Sequence, residues 1–562
     1  MGTAVEQHKR KESILMTRQS PYLSVMSAAS VAITALLFLI PTSGAEDVST
    51  HRFEISFPAS VHSEPITGRV YVMISRTNEK EPRLQIGRTG VPFFGRDVES
   101  MAPGSTAAID ETDLGSPVAS LRDIPPGDYY VQAFVNIYSE FRRADGHVVW
   151  MHNDQWEGQH FNRSPGNLMS DVQQVHLDPQ TGYNISLEAT NIIPPIEIPP
   201  DTVWVKRFKF ESKILTEFWG RPIYLGATAL LPKGYDQETM KYPVVYYQGH
   251  FSSSDPMRFK EGEEFYQEWI KDGFPRMLVV TFQDPTPYFD TSYSVNSVNV
   301  GPYADAIMQE LIPEVEKRFR IIKEPYARIL TGGSTGGWES LAMMIFYPDF
   351  FGGTFSYSPD PVTFTNVEGI NIYEDVNAFY KQHEWRQVPT PNTREIDGGI
   401  RMTSQQRNHF ELVSGTKGRS GQQLDIWSAV HGPLGEDGYF KPLFDKFAGD
   451  IDPQVAQHWK ENYDLLHHLK KNWATLGPKL VGKIHVYCGD MDSFYLNVPV
   501  KELEAWMKTT SNPHYPGYFV YGDGKGHGYA REKGTEAHRI RQWAEFIHRN
   551  KPEGTATPWW QY

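Results

Sequence analysis

The strongest constraint on the fold is a change in the pattern of apolar residues at about Asp201. Beyond this point strand-like runs alternate with helical segments; the strands include YPVVYYQGHF, RMLVVTFQD, ARILTGG and KIHVYCGD, and the helices DAIMQELIPEVEKRFR and HRIRQWAEFIHR. Short runs of Val, Ile, Leu and aromatic residues separated by helices are typical of βα units on a parallel sheet buried on both faces. The sequence therefore predicts an α/β domain over residues 202–562.

The part of the chain before this change has a different pattern. Short runs such as RFEISFPAS, TGRVYVMISR and GYNISLEAT alternate apolar and polar residues at period two, which predicts half-buried strands. We predict a β-sandwich, immunoglobulin-like, over residues 46–193. The segment IIPPIEIPP has four prolines in nine positions, which favours an extended connector, so residues 194–201 are predicted to be a linker.

The first 45 residues have the order of a secretory signal. Arg18 precedes an apolar segment from about Ala28 to Ile40, and the small residues Ser43, Gly44 and Ala45 follow it. The apolar segment is shorter than the about 20 residues that span a bilayer, so residues 1–45 are predicted to be a signal peptide cleaved after Ala45. The expected location is secreted or periplasmic, without stable membrane insertion; the alternative is an uncleaved N-terminal anchor.

Charge and cysteine content exclude several functions. The formal charge is -14, and binding to a phosphate backbone depends on clustered Lys and Arg, so we expect no nucleic-acid partner. Cys488 is the only cysteine, which excludes an intramolecular disulfide and a cysteine-based zinc site. We expect no cofactor and no metal.

Ser334 is the candidate nucleophile. It is the serine of a G-x-S-x-G motif, in the segment ILTGGSTGGWES, and the motif falls between a predicted strand and a predicted helix. A nucleophile elbow requires this context, because Gly332 and Gly336 lack side chains that would collide where strand and helix meet. The alternative is an ordinary glycine loop.

An acid and a base for this serine follow in the chain. KIHVYCGDMDSF is a strand that ends in a turn carrying Asp490 and Asp492, and GYFVYGDGKGHGYARE is a strand whose following loop carries His527. Serine, acid, histidine is the order of the α/β-hydrolase triad, and active sites of open α/β sheets lie at the carboxyl ends of strands. We favour Asp492 over Asp490 as the acid, because a turn must intervene before the side chain can reach the neighbouring loop.

Two further groups of residues are expected at the site. The oxyanion hole needs two N–H donors, which we assign to the backbone of Thr335 and to that of His250 or Phe251, in the loop after YPVVYYQGHF. The loop from Asp284 to Tyr303 is rich in tyrosine and asparagine and is predicted either to line the substrate pocket or to pack on the sheet edge. Its candidate substrate-binding residues are Tyr288, Asn296 and Tyr303.

Residues 365–475 interrupt the alternation of strands and helices. We interpret them as an insertion of helices and loops, without a defensible strand, between two strands of the sheet. Such insertions often cap a binding site. The segment either folds over Ser334 or forms a separate small core from its aromatic residues, which include Trp385, Trp427, Tyr439, Phe440 and Trp459.

Four motifs in order, LLPKGYDQETMKYPVVYYQGH, GGSTGG, GDMD and GHGY, resemble the putative-esterase family of α/β-hydrolases, which contains esterase D, feruloyl esterases and enterochelin esterases. The resemblance covers roughly residues 202–550 and implies an α/β-hydrolase fold with Ser334, Asp492 and His527 as nucleophile, acid and base. The family usually has His-Gly after the first strand, whereas this chain has Gly249-His250.

The sequence thus predicts an exported serine esterase that hydrolyses carboxylic esters through a Ser-Asp-His triad and an acyl-enzyme. The expected substrate is a small-molecule or carbohydrate-linked ester. An acyltransferase would use the same triad, and a non-catalytic protein that binds carbohydrate or a partner, with a relic hydrolase domain, is the alternative from another class.

Overall fold

A computed structural model of the chain describes residues 50–156, 158, 160–250, 256–529 and 536–560. The predicted signal peptide and its cleavage position after Ala45 lie outside these residues. Within the described ranges, no helix is long and apolar enough to cross a membrane.

The N-terminal region consists of two packed β-sheets. A three-stranded sheet has the order β10-β1-β4, and a larger one has the order β11-β8-β6-β2-β3-β5, with β7 and β9 also paired to β6. Phe53 and Ile55 of the small sheet share a core with Val70, Val72 and Val131 of the large sheet. The strands are β1 (His51–Ser56), β2 (Ile66–Ser75), β3 (Phe93–Met101), β4 (Ala107–Asp110), β5 (Gly115–Ser116), β6 (Gly127–Arg142), β7 (Val148–His152), β8 (Leu168–Met169), β9 (Gln173–Leu177), β10 (Tyr183–Glu188) and β11 (Asn191–Ile192).

The second sheet system forms the α/β domain. Its main sheet, as far as the chain is described, has eight strands in the order β12-β13-β15-β14-β18-β19-β24-β25. Strand β13 pairs antiparallel with both of its neighbours, β12 and β15. All the following pairs in this order, from β15-β14 to β24-β25, are parallel. The strands are β12 (Val205–Ser212), β13 (Ile223–Leu230), β14 (Val244–Gln248), β15 (Leu278–Gln283), β16 (Asn296–Ser297), β17 (Gly301–Pro302), β18 (Arg328–Gly333), β19 (Gly353–Tyr357), β20 (Tyr380–His383), β21 (Arg386–Pro389), β22 (Pro391–Arg394), β23 (Ile400–Thr403), β24 (Ile484–Gly489) and β25 (Tyr518–Gly522).

Helices cover this sheet, and the predicted fold class of an α/β domain preceded by a β-sandwich is confirmed. The central strands β14, β18 and β19 are almost wholly buried, as expected for parallel strands covered on both faces. The helices are α1 (Lys213–Trp219), α2 (Glu264–Trp269), α3 (Tyr303–Ala306), α4 (Ile312–Arg318), α5 (Thr335–Phe346), α6 (Ser404–Ser414), α7 (Gln423–His431), α8 (Pro453–Tyr463), α9 (Leu465–Leu480), α10 (Asn497–Met507) and α11 (Glu536–Asn550).

The segment between β19 and β24 contains helices α6 to α9 and two short hairpins, β20-β21 and β22-β23. The sequence predicted helices and loops here and no strand, so the hairpins are a correction. Their sequences, YKQH, RQVP, PNTR and IRMT, are polar and lack the apolar alternation that identifies a half-buried strand.

Helix α6 of this insertion packs on the N-terminal region. Tyr71 and Phe93, on the outer face of the large β-sheet, share a small core with Phe410 and Val413. The guanidinium of Arg69 donates to the Val413 carbonyl at 3.0 Å. Residues Ser49–Tyr562 accordingly form one compact unit, in which the β-sandwich supports the insertion.

Candidate active site

Ser334 lies on a sharp turn between the end of β18 and the start of α5. Its backbone has φ 58° and ψ −121°, a region that residues with side chains rarely adopt. Its N–H donates to the Tyr357 carbonyl at 2.9 Å, and its carbonyl accepts from Trp338 at 3.1 Å. The turn is therefore held by the adjacent strand and by the helix that it begins.

The two glycines of the motif are required by close backbone approach. A Cβ on Gly336 would lie 1.9 Å from the Gln248 carbonyl oxygen, and one on Gly332 would lie 2.3 Å from the Gly336 oxygen. Neither distance is possible for a real side chain, so the elbow can pass β14 only with glycine at both positions.

His527 and Asp492 are joined by a hydrogen bond. His527 Nδ1 lies 2.8 Å from Asp492 Oδ2, and Asp492 is fully buried whereas 26% of the His527 side chain is exposed. The N–H groups of Phe494 and Leu496 donate to Asp492 Oδ1 at 2.9 and 3.4 Å. By contrast, Asp490 Oδ1 has no hydrogen-bond partner among the described residues, so the acid that reaches His527 is Asp492.

The charge around His527 favours its protonated form. Burial of the ring lowers the pKa of His527, but the hydrogen bond to Asp492 and the charges of Asp492, Asp360 and Glu368 outweigh burial and raise this pKa above its ordinary value. The imidazole is therefore a stronger base than an isolated histidine.

The hydroxyl of Ser334 donates to a carboxylate that the sequence analysis missed. Ser334 Oγ lies 3.3 Å from Asp360 Oδ1, and the structure contains no hydrogen bond between Ser334 and His527, both of which are described. Asp360 is buried and also accepts from Thr335 Oγ1 at 2.9 Å and from the Tyr293 hydroxyl at 2.7 Å. Asp360 follows β19 by three residues, as Asp492 follows β24, and this position was the signal available in the sequence.

His250 connects the predicted oxyanion loop to the elbow through its side chain. Its Nδ1 lies 3.0 Å from Asp290 Oδ2 and its Nε2 lies 3.1 Å from Thr335 Oγ1. Burial lowers the pKa of His250, but Asp290, Asp360 and Glu339 outweigh burial and raise it to about 9. Thr335 is the first residue of α5, so its N–H is one of those without an intrahelical partner. Phe251 lies outside the described residues.

The predicted substrate-binding residues of the loop after β15 have other partners. The Tyr288 hydroxyl donates to the Asn299 carbonyl at 3.2 Å, the Tyr303 hydroxyl donates to the Pro285 carbonyl at 2.8 Å, and the exposed Asn296 amide donates to Asp305 at 3.0 Å. None of the three forms a hydrogen bond with Ser334, Asp492 or His527. The loop instead brings Tyr293 and Asp290 to the elbow.

Helix α7 of the insertion reaches the same group of residues. Gln423 Nε2 donates to the Tyr293 hydroxyl and lies 3.3 Å from Asp360 Oδ2 and 3.4 Å from Thr335 Oγ1. The indole N–H of Trp427 also donates to Tyr293. The insertion thus contacts the hydrogen-bond network around Ser334 directly.

The other aromatic residues of the insertion form no hydrogen bond with this network, although the His431 ring, against which Trp459 packs, lies 5.5 Å from the Tyr293 ring. The Trp459 ring packs against those of His431 and Phe364 in a buried cluster, and burial lowers the pKa of His431 to about 3. The Tyr439 hydroxyl contacts the Trp150 backbone of the sandwich, Phe440 is part of the core, and Trp385 is 87% exposed. The described residues contain no group of three or more His, Cys, Asp or Glu side chains that could hold a metal ion.

A mostly parallel sheet with a serine on the strained turn after a central strand defines the α/β-hydrolase class. Within that class, the chain belongs to the family described as Putative esterase, whose family model matches residues 225–515, just over half of the 562 residues. The family resemblance predicted from the four motifs is confirmed, and the family is one of ester hydrolases.

Individual relatives are distant. The Bacillus subtilis (strain 168) protein named Uncharacterized protein YbbA is 26% identical over 135 residues, 22% of this chain and 52% of the relative, so the chain spans about half the length of that curated relative. Similar solved structures include a ferulic acid esterase, at 16% identity over 62% of this chain and 98% of that one with a TM-score of 0.36. An S-formylglutathione hydrolase from Agrobacterium tumefaciens matches at 12% identity over 62% and 99%, with a TM-score of 0.34.

Proposed function

We propose that this protein is an exported serine esterase that hydrolyses small-molecule or carbohydrate-linked carboxylic esters through an acyl-enzyme on Ser334. The observation that carries the proposal is the backbone of Ser334, at φ 58° and ψ −121° on the turn between β18 and α5. Strain of this kind, about 1–3 kcal/mol, persists where the surrounding structure over-determines it, as at a nucleophile. Membership in an esterase family supports the substrate class.

In the proposed first half-reaction, His527 Nε2 takes the hydroxyl proton of Ser334 while Ser334 Oγ attacks the ester carbonyl carbon. The negative oxygen of the tetrahedral intermediate accepts a hydrogen bond from the N–H of Thr335 and from a second donor in the loop that contains His250. The imidazolium then gives its proton to the leaving alcohol, and the acyl group remains on Ser334.

In the second half-reaction, His527 removes a proton from water, the water oxygen attacks the acyl carbon, and Ser334 leaves with the proton returned by His527. Asp492 fixes the ring so that Nε2 faces the serine, which the bond from Nδ1 to Asp492 supports. The cycle requires the Ser334 hydroxyl to exchange its bond to Asp360 for one to His527, and in unliganded sites such catalytic bonds are often long or unformed.

Two further parts of the proposal concern the insertion and export. The insertion is proposed to cap the site and to set substrate size and polarity, which the contacts of Gln423 and Trp427 with Tyr293 support. Export is proposed from the order of the first 45 residues alone, in which an apolar segment from Ala28 to Ile40 precedes the small residues up to Ala45.

The test combines Ser334→Ala with a fluorophosphonate probe, which labels only an activated serine. We expect the wild-type protein to be labelled and to hydrolyse 4-nitrophenyl acetate, and the variant to show neither property. Loss of a triad member lowers turnover by at least about 10³-fold. Circular dichroism and the thermal midpoint show whether the variant keeps its fold.

The same two measurements can contradict the proposal. A folded Ser334→Ala variant that still reacts with the probe, or that keeps turnover near the wild-type value, would mean that Ser334 is a serine in a strained loop and that the nucleophile lies elsewhere.

A further inference from the structure

Arg88, in the N-terminal sandwich, lies near the catalytic histidine. It belongs to the loop between Leu84 and β3, and its guanidinium carbon is 5.3 Å from the centre of the Phe494 ring. The Phe494 ring packs edge-on against the imidazole of His527 at 4.9 Å. The two distances together place the guanidinium within about 10 Å of the imidazole. The sandwich, to which the esterase mechanism assigns no role, therefore places a cation near the imidazole of His527.

The guanidinium of Arg88 has two acidic neighbours, Glu368 and Glu411, but forms no salt bridge with either of them. Arg88 is exposed to solvent, and it forms no ion pair with any acid among the described residues. Its acidic neighbours have partners of their own: Glu411 accepts from Arg407 Nε at 2.9 Å, and Glu368 accepts from the Asn392 amide at 2.6 Å.

The surroundings also disfavour the charge of Arg88. Neighbouring protein groups partly desolvate the guanidinium of Arg88 and, together with the positive charge of Arg407, lower the pKa of Arg88 to about 10, although Glu368 and Glu411 act in the opposite direction. Desolvation of a cation without a direct salt bridge costs free energy, and an anion that binds beside it offsets this cost. Arg88 is accessible from solvent while its guanidinium is partly desolvated, and such a group can bind an anionic ligand.

We propose that Arg88 binds a carboxylate on the alcohol part of the ester substrate. The inference rests on the proposed esterase function and names its substrate class. The alcohol part follows from the mechanism, because His527 delivers its proton to the leaving oxygen and the groups around His527 therefore face the leaving alcohol. The carboxylate follows from the guanidinium, whose planar fork of N–H donors matches two carboxylate oxygens.

Two acetate esters that differ only in charge test the proposal. In 4-acetoxybenzoate the leaving phenol carries a carboxylate, and in 4-acetoxybenzamide it carries a neutral amide of similar shape. We expect the wild-type protein to have a kcat/KM roughly tenfold higher for the anionic ester, in line with a partly exposed charge-assisted pair. The preference should weaken as salt is added, since salt screens exposed charges.

Arg88→Gln should abolish this preference, so that the ratio of the two kcat/KM values falls to about one. Arg88→Lys keeps the charge without the fork and should give an intermediate ratio. Arg76→Gln is the matched control: Arg76 is also an exposed arginine of the sandwich over an aromatic ring, but its partner is Tyr129, in the sandwich core. This control should keep the wild-type ratio.

The outcomes separate the two proposals. If the wild-type protein hydrolyses both esters at equal kcat/KM, or if the ratio is unchanged in Arg88→Gln, the Arg88 inference is overturned and the esterase function stands. If the wild-type protein hydrolyses neither ester and does not react with the fluorophosphonate, the esterase function fails and the Arg88 inference with it. If Arg88→Gln does not fold, the ratio in Arg88→Lys decides, and a wild-type ratio there contradicts bidentate binding.

Discussion

The backbone of Ser334 explains why a five-letter motif alone could not identify the site. The motif predicts a turn with glycines on both sides, but the positive φ of 58° at the serine exists only because strand β19 and helix α5 hold the turn. What could be predicted was the context: a buried apolar run before Ser334 and a buried helix after it.

The sequence context indicates Asp492 and His527 as candidate site residues but not Asp360. The order of the strands predicts that their carboxyl ends share one edge of the sheet, which led to Asp492 and His527 as candidates, and a hydrogen bond joins these two residues in the structure. Which carboxylates turn toward the serine depends on local turns, and Ser358, with φ 40°, lies in the turn that brings the Asp360 N–H to within 3.2 Å of the Ser334 carbonyl. The position of Asp360 after β19 could suggest a candidate carboxylate, but the positive φ of Ser358 has no sequence signal, so the contact of Asp360 with Ser334 could not be predicted.

At the residue scale, we predict that replacing Asp492 by its amide lowers kcat much more than the same change at Asp490. Asp492→Asn should lower kcat by about 10³–10⁴-fold, because an amide no longer fixes the tautomer of His527 or stabilises its imidazolium. Asp490→Asn should lower kcat by less than about tenfold, since Asp490 does not contact His527 and the amide keeps the size of the side chain.

Steady-state kinetics on 4-nitrophenyl acetate measure both variants, and thermal midpoints control for folding. Equal losses in the two variants, or a larger loss in Asp490→Asn, would show that Asp492 is not the acid that acts on His527.

At the scale of elements, burial separates the strands that could be predicted from those that could not. The parallel strands β14, β15, β18, β19 and β24 are apolar runs because they are covered on both faces, and the sequence identifies them directly. The hairpins of the insertion are polar, and they owe their conformation to backbone pairing within the hairpin, for which the side chains give no periodic signal.

The close contact between the turn at Ser334 and strand β14 leads to a further prediction. Alanine forms helix better than glycine by about 1 kcal/mol, so propensity alone would make Gly336→Ala stabilising at the start of α5. A Cβ there would lie 1.9 Å from the Gln248 carbonyl oxygen, and overpacking of this kind costs about 1–3 kcal/mol or more. We therefore expect Gly336→Ala to lower the thermal midpoint and to impair activity.

Gly333→Ala is the control, because its Cβ would come no closer than 3.7 Å to the Tyr357 oxygen. Its free energy of unfolding should stay within about 0.5 kcal/mol of the wild-type value. A stabilised or unchanged Gly336→Ala variant would show that the elbow shifts to admit a side chain.

At the scale of the whole molecule, the sandwich, the insertion and the hydrolase sheet depend on one another. Arg69 bonds to the Val413 carbonyl across 344 positions of sequence, and Arg419 pairs with Asp97 at 2.6 Å. The proline-rich segment predicted a boundary between two domains but could not indicate that an insertion from the second domain packs on the first. Contacts of this separation leave no local pattern, because each half of the interface resembles an ordinary buried face.

The packing of the insertion against the rest of the molecule limits how its proposed role as a cap can be tested. Helix α7 is part of the main hydrophobic core through Leu424, Ile426 and Val430, so its removal would damage the fold together with the site. A point substitution avoids this. Gln423 is half-buried at the start of α7, and its amide reaches Tyr293, Thr335 and Asp360. Its neighbour Gln422 is similarly exposed and has no side-chain hydrogen bond to another described residue, which makes it a matched control.

Gln423→Ala should alter kcat/KM for a bulky aromatic or sugar acetate by roughly tenfold and that for 4-nitrophenyl acetate by less than about threefold, while Gln422→Ala changes neither. The physical reason is that a cap contacts the parts of the substrate remote from the scissile bond, and a small ester lacks those parts. If both esters respond in parallel, Gln423 acts through the Tyr293–Asp360 network on the nucleophile itself, and α7 is a support for catalysis. If neither responds in a folded variant, α7 is only part of the core. A difference between the two esters, measured at equal stability, therefore requires that the insertion contacts the substrate.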